Sequence, residues 1–169
     1  LYAHVYGNLY GMEIIGLRYF NVFGRNQSPD GAYAAAIPKF VSAFLNHESP
    51  MVHGDGEQTR DFTYIDNVIQ MNHLAGATEN PDALNQVYNV AGGQRTSLID
   101  VIKGIQDELA KYDSVIAGIE VKYGPERAGD VRDSLADISK AETLLGYEPT
   151  HTMKEGIAEA IEWYRNSLK

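Results

Sequence analysis

Residues 12–20 read MEIIGLRYF, a nearly unbroken apolar run, and no other stretch constrains the fold as strongly. A run of this length and character predicts a strand buried on both faces of a parallel sheet. Such a strand needs neighbours reached by crossover connections. Residues 87–90 supply one short candidate, and Met51–His53, 59–62 and 120–123 supply others around turn-rich segments. Helices are predicted between them. Tyr2, Val5, Tyr6, Leu9 and Tyr10 form one stripe, with Gly11 as its stop. Ile37, Phe40, Val41, Phe44 and Leu45 form another, with Pro38 tolerated in its first turn. A third covers 65–75 with Asp66 as its cap. Ser97 and Asp100 cap a fourth that Leu98, Val101, Ile102, Ile105, Leu109 and Tyr112 continue. Ser139–Leu145 is a short helix. The last opens on a Thr152/Glu155 capping box and carries Ile157, Ala160, Ile161, Tyr164 and Leu168. The pattern is mixed α/β, with polar loops at 21–31 and 124–130.

Charge limits the partners. The 169 residues carry 14 basic and 23 acidic side chains, a formal net charge of −9. Nucleic acid and anionic membrane need a broad positive field, so neither is expected. A local anion site made of one or two arginines remains compatible. With no cysteine, disulfides and thiolate metal sites are excluded. No apolar run reaches membrane-spanning length and no signal-like segment opens the chain, so a cytoplasmic protein is expected.

Several chemistries lack their motifs. There is no G-x-G-x-x-G, P-loop or H-E-x-x-H, and GDGEQT at Gly54 lacks both the third glycine and the strand-to-helix setting. The five histidines do not pair at metal-ligand spacing and read as surface or packing residues. What remains is anion recognition. Arg60 lies between a glycine-rich turn and an aromatic segment, and Arg127 lies in the shaped loop GPERAGD beside Asp130. A guanidinium fork matches phosphate oxygens. The competing reading pairs Arg60 with Asp61 and Arg127 with Asp130 as surface ion pairs of little energetic weight. Asn21 follows the long apolar strand directly, where open α/β sheets bind ligands, although an Asx-turn explains it equally well.

The order of five segments carries a resemblance: LRYFNVFG, GAYAAAIPKF, GDGEQTRDFTYIDNV, YNVAGG and RAGDVRDSLAD. Together they resemble the C-terminal half of extended short-chain dehydrogenase/reductases acting on nucleotide sugars, most nearly the UDP-N-acetylglucosamine 4-epimerases. The resemblance implies a substrate-binding α/β portion of a Rossmann-type enzyme. Residues 1–31 would be the tail of the NAD-binding domain, and 32–169 mostly the nucleotide-sugar domain. It implies that Arg60 and Arg127 clamp the substrate diphosphate and that Asp130 holds ribose hydroxyls. Asn21 would contact diphosphate and sugar, Ala35, Ala36, Met51 and His53 would line the uracil pocket, and Tyr19 would lie beside the nicotinamide of NAD. The implied partner is a UDP-N-acetylhexosamine, and the implied assembly a homodimer using the Tyr2/Val5/Tyr6/Leu9 face. The family's catalytic Tyr-x-x-x-Lys pair does not occur in the chain. It is expected upstream of Leu1, on a longer helix whose tail is 1–10, so this chain alone is expected to be inactive. Other UDP-sugar epimerases or decarboxylases, and a non-catalytic nucleotide-sugar binding module, stand as alternatives.

Overall fold

A computed structural model describes residues 2–28 and 36–168. Helix α1, Tyr2–Tyr10, ends at Gly11, whose φ of 63° closes the helix in the left-handed region. Strand β1, Ile15–Tyr19, follows and pairs in parallel with β6, Gln86–Val90, in the register Ile15 to Gln86 through Tyr19 to Val90. Three further two-stranded pairs fill the rest. β2, Val22–Phe23, runs parallel to β5, Thr63–Tyr64, and β3, Met51–His53, runs parallel to β8, Lys122–Gly124. β4, Thr59–Asp61, is antiparallel to β7, Arg95–Ser97.

Two apolar clusters hold these pieces. In the first, α2 (Ala36–Leu45), α4 (Leu98–Ala110) and α6 (Met153–Ser167) meet through Phe40, Phe44, Ile102, Ile105, Ile157 and Ile161. In the second, α3 (Ile65–Ala77) and α5 (Ser139–Leu145) pack on the β1–β6 pair through Val68, Met71, Val90 and Leu145. Ile65 touches both. No helix among the described residues is long and apolar enough to cross a membrane.

The caps follow local chemistry. Ser97 Oγ accepts from Asp100 N at 3.2 Å, and Thr152 N donates to Glu155 Oε2 at 2.8 Å while Thr152 Oγ1 accepts from Glu155 N. Each such cap is worth about 1 kcal/mol. Other expectations are corrected. Asp66 does not cap α3: the N-cap is Tyr64, without a side-chain bond, and Asp66 sits in the first turn with Arg25 Nη2 at 3.3 Å. A carboxylate there still favours the helix dipole. Tyr112 lies beyond α4, with the Arg165 guanidinium 3.9 Å from its ring centroid. Strand β1 is not buried on both faces. Ile15 and Leu17 reach the second cluster, whereas Arg18 and Tyr19 are exposed, and β6 is its single strand partner among the described residues.

Candidate functional site

Strand alternation sets up the site. In β4, neighbouring side chains point to opposite faces, so Arg60 and Asp61 part company. Asp61 turns inward and is fully buried. Its carboxylate accepts from Gly92 N at 2.9 Å, Gly93 N at 3.2 Å and Ala136 N at 3.3 Å. Burial pushes this carboxyl above its ordinary value against the pull of those donors. Gly92 permits the approach, because a Cβ there would lie 2.9 Å from the Phe62 carbonyl oxygen.

Arg60 turns the other way. Its Nη1 donates to the Thr59 carbonyl at 2.7 Å and reaches the Arg132 carbonyl at 3.4 Å, while Nη2 pairs with Asp130. Neither ion pair considered from the sequence forms. Asp61 is committed to backbone N–H groups, and Asp130 pairs with Arg60 rather than Arg127. The Arg127 side chain has no hydrogen bond or ion pair among the described residues, so its donors are available to a ligand.

The 124–133 segment is held beside β4 by further contacts. Gly54 N donates to Gly124 O at 3.0 Å, His53 Nδ1 lies 3.2 Å from Pro125 O, and Thr59 Oγ1 donates to Asp133 at 2.7 Å. Arg132 forms a two-pronged pair with Asp55, both contacts at 2.9 Å. That guanidinium holds the Asp55 carboxyl below its usual range. Both groups are exposed, so the pair shapes the loop more than it stabilises the fold.

Between β2, α2, β3 and this segment lies a cleft of about 620 Å³. Asn21, Ala36, Met51, His53, Arg60, Arg127 and Asp130 all line it. Ala35 lies outside the described residues. Tyr19 does not border the cleft: it is exposed at the end of β1, and its hydroxyl donates to Asn72 Oδ1 at 3.2 Å. Asn21 adopts φ 36° and donates from Nδ2 to the Asp61 carbonyl at 2.9 Å, while its own carbonyl accepts from Thr63 N. Its side chain therefore ties the end of β1 to β4 across 40 positions instead of closing a local turn.

Sequence reasoning missed Lys39, Gln58 and the apolar wall of Phe40 and Phe62. Lys39 shares the helix whose periodicity was legible, but a lysine one position after Pro38 carries no signal of its own. Among the described residues, Lys39, Arg60 and Arg127 stand against one lining carboxylate, Asp130, so the cleft they form is locally positive in a chain of net charge −9. Such a site draws and orients a multiply charged anion, and the aromatic wall suits a flat, partly apolar attachment. The described residues do not form a dinucleotide site. They contain no glycine-rich turn between a strand and a helix, and Tyr19 alone cannot hold NAD.

Parallel strand pairs, covering helices and a positively lined cleft at strand ends define an α/β protein of the Rossmann-like kind. The chain belongs to the family described as GDP-mannose 4,6 dehydratase, whose model matches residues 1–160. A putative UDP-glucose 4-epimerase of Methanocaldococcus jannaschii is 36% identical over 166 residues, covering 98% of this chain and 50% of that protein. The solved UDP-N-acetylglucosamine 4-epimerase of Methanobrevibacter ruminantium, in complex with UDP-N-acetylmuramic acid, superposes with a TM-score of 0.86 at 38% identity. That match covers 98% of this chain and 50% of the other. The Bacillus cereus UDP-glucuronic acid 4-epimerase, in complex with UDP-glucuronic acid and NAD, gives 0.81 at 31% identity, covering 97% and 49%. The chain thus spans about half the length of the relatives it matches.

Proposed function

We propose that this chain is the substrate-binding part of an NAD-dependent epimerase interconverting UDP-N-acetylglucosamine and UDP-N-acetylgalactosamine. One observation carries the reading: Arg60 and Arg127, distant in the chain, line one cleft together with Asn21 and Asp130. Arg60 and Arg127 bracket the diphosphate, each charge-assisted bond contributing about 1.5–3 kcal/mol. On binding, Asp130 exchanges Arg60 for ribose hydroxyls. Ala35, Ala36, Met51 and His53 border the uracil, and Asn21 reaches the diphosphate and sugar.

Residues 1–31 are the tail of the NAD-binding domain, with Tyr19 beside the nicotinamide, and 32–169 mostly the nucleotide-sugar domain. NAD, when bound, would supply hydride removal from and return to sugar C4. The tight hold on the nucleotide leaves the hexose free to present either face between those events. A homodimer buries the exposed Tyr2, Val5, Tyr6 and Leu9. Because the chain contains no Tyr-x-x-x-Lys pair, it does not turn over substrate alone.

A second reading, a UDP-glucose or UDP-uronate 4-epimerase, is favoured by the Methanocaldococcus jannaschii and Bacillus cereus relatives. Initial rates of the complete enzyme on UDP-N-acetylglucosamine, UDP-N-acetylgalactosamine, UDP-glucose and UDP-glucuronate decide between them. Preference for the two N-acetylated sugars supports the proposal. Preference for UDP-glucose or UDP-glucuronate overturns its specificity, and turnover of none of the four overturns the activity.

A further inference from the structure

The two arginines of the cleft are not equally open to an anion. Arg127 has no hydrogen bond or ion pair among the described residues, whereas the Arg60 guanidinium is engaged at both ends. Its Nη1 is directed by the Thr59 carbonyl at 2.7 Å and the Arg132 carbonyl at 3.4 Å, and its Nη2 is taken by Asp130. The Arg60 side chain is only 20% exposed, so an oxyanion reaches Nη2 by displacing the Asp130 carboxylate. Arg127 and Asp130 stand at the two ends of one turn. Asp130 N donates to the Arg127 carbonyl at 3.2 Å, and Gly129 takes φ 80° between them. An anion drawn to Arg127 is thereby brought against Asp130.

The carboxylates nearby are anchored by donors of their own. Asp55 accepts from Glu57 N at 2.9 Å as well as from Arg132, and Asp133 accepts from Thr59 Oγ1. Asp130 differs: Arg60 is the one hydrogen-bond donor to its carboxylate among the described residues. Once displaced, that carboxylate faces the incoming anion with no partner. A ligand made of phosphate oxygens alone offers only acceptors and repels it. A diphosphate joined to a ribose brings two neighbouring hydroxyl donors, which replace the guanidinium it has taken.

We propose, building on the nucleotide-sugar reading above, that Asp130 is a specificity-determining residue that screens anions at this cleft. Its ion pair with Arg60 admits a diphosphate carrying a vicinal diol and turns away inorganic pyrophosphate. The selectivity comes from a penalty set against the wrong ligand, a carboxylate left beside a like charge, as much as from contacts to the right one. Arg127 makes the first contact, and Arg60 engages only when Asp130 has been given hydroxyls in exchange.

The test is calorimetric titration with UDP and, separately, with sodium pyrophosphate, on the parent, Asp130→Asn and Asp133→Asn. Both positions are exposed, so both variants fold, with Tm as the check. In Asp130→Asn, Arg60 keeps only a neutral acceptor. Pyrophosphate should then bind at least about tenfold tighter, while UDP, deprived of its charged hydroxyl acceptor, binds no tighter than to the parent. Asp133→Asn removes the same charge from the same segment, keeps an acceptor for Thr59 Oγ1 and does not touch Arg60. Its pyrophosphate affinity should change by less than about threefold, the scale of an exposed charge acting at a distance. A preference for UDP over pyrophosphate left unchanged in Asp130→Asn, or lowered equally by Asp133→Asn, overturns the screen while leaving the nucleotide reading in place. A parent that binds UDP no better than pyrophosphate overturns both.

Discussion

Gly156, inside α6, sets two effects of similar size against each other. Alanine in a helix interior is favoured over glycine by about 1 kcal/mol. At this position, however, a Cβ would lie 2.6, 2.7 and 2.8 Å from Cγ, Cδ2 and Cβ of Tyr64. To reach the 3.4 Å of ordinary contact, Tyr64 or α6 must give way, and Tyr64 is fully buried. Overpacking of this kind costs about 1–3 kcal/mol, and three close carbon contacts place it toward the upper end. The net expectation for Gly156→Ala is a loss of about 1–2 kcal/mol, or a Tm lower by roughly 2–8 °C for a chain of this size. Gly104→Ala is the matched control, because its Cβ would meet only Ile157 Cδ1 at 3.9 Å. It should gain up to about 1 kcal/mol. Urea denaturation of both variants beside the parent separates the two effects. A Gly156→Ala variant as stable as Gly104→Ala would refute the packing argument.

Asp61→Asn keeps an acceptor for Gly92 N but turns an amide toward Gly93 N and Ala136 N. Ala136 N becomes a buried donor without an acceptor, at a cost of about 1–3 kcal/mol, while the exposed Gly93 N can turn to water, so a loss of about 1–2 kcal/mol is expected in urea melts. An unchanged midpoint contradicts the role assigned to this carboxylate. Glu155 has its carboxyl lowered by bonds from Thr152. A depressed folded value means stability that is present above the unfolded value and lost as pH falls through the folded one. The stability advantage of the parent over Glu155→Gln should therefore shrink between about pH 5 and pH 3, and a difference constant over that range rules out the linkage.

Long periodic elements were legible because one apolar face repeats over several turns, as in Val101, Ile102, Ile105 and Leu109 of α4. The capping box at Thr152 was equally plain. Strands β2 and β7 were not, since two or three residues carry no period and pairing alone defines them. Arg60 and Arg127 were identified by residue type and resemblance. Their relation to Asp130 was not legible, because tertiary contacts place residues 130 and 60 together while local sequence favours the pairing of 127 with 130. Period-2 alternation could have placed Asp61 opposite Arg60.

Arg127→Ala tests the proposed diphosphate clamp most directly, because the Arg127 side chain has no partner among the described residues whose loss could confuse the result. Calorimetry with UDP should show affinity reduced about 10- to 100-fold with unchanged Tm. Affinity equal to that of the parent would contradict the account.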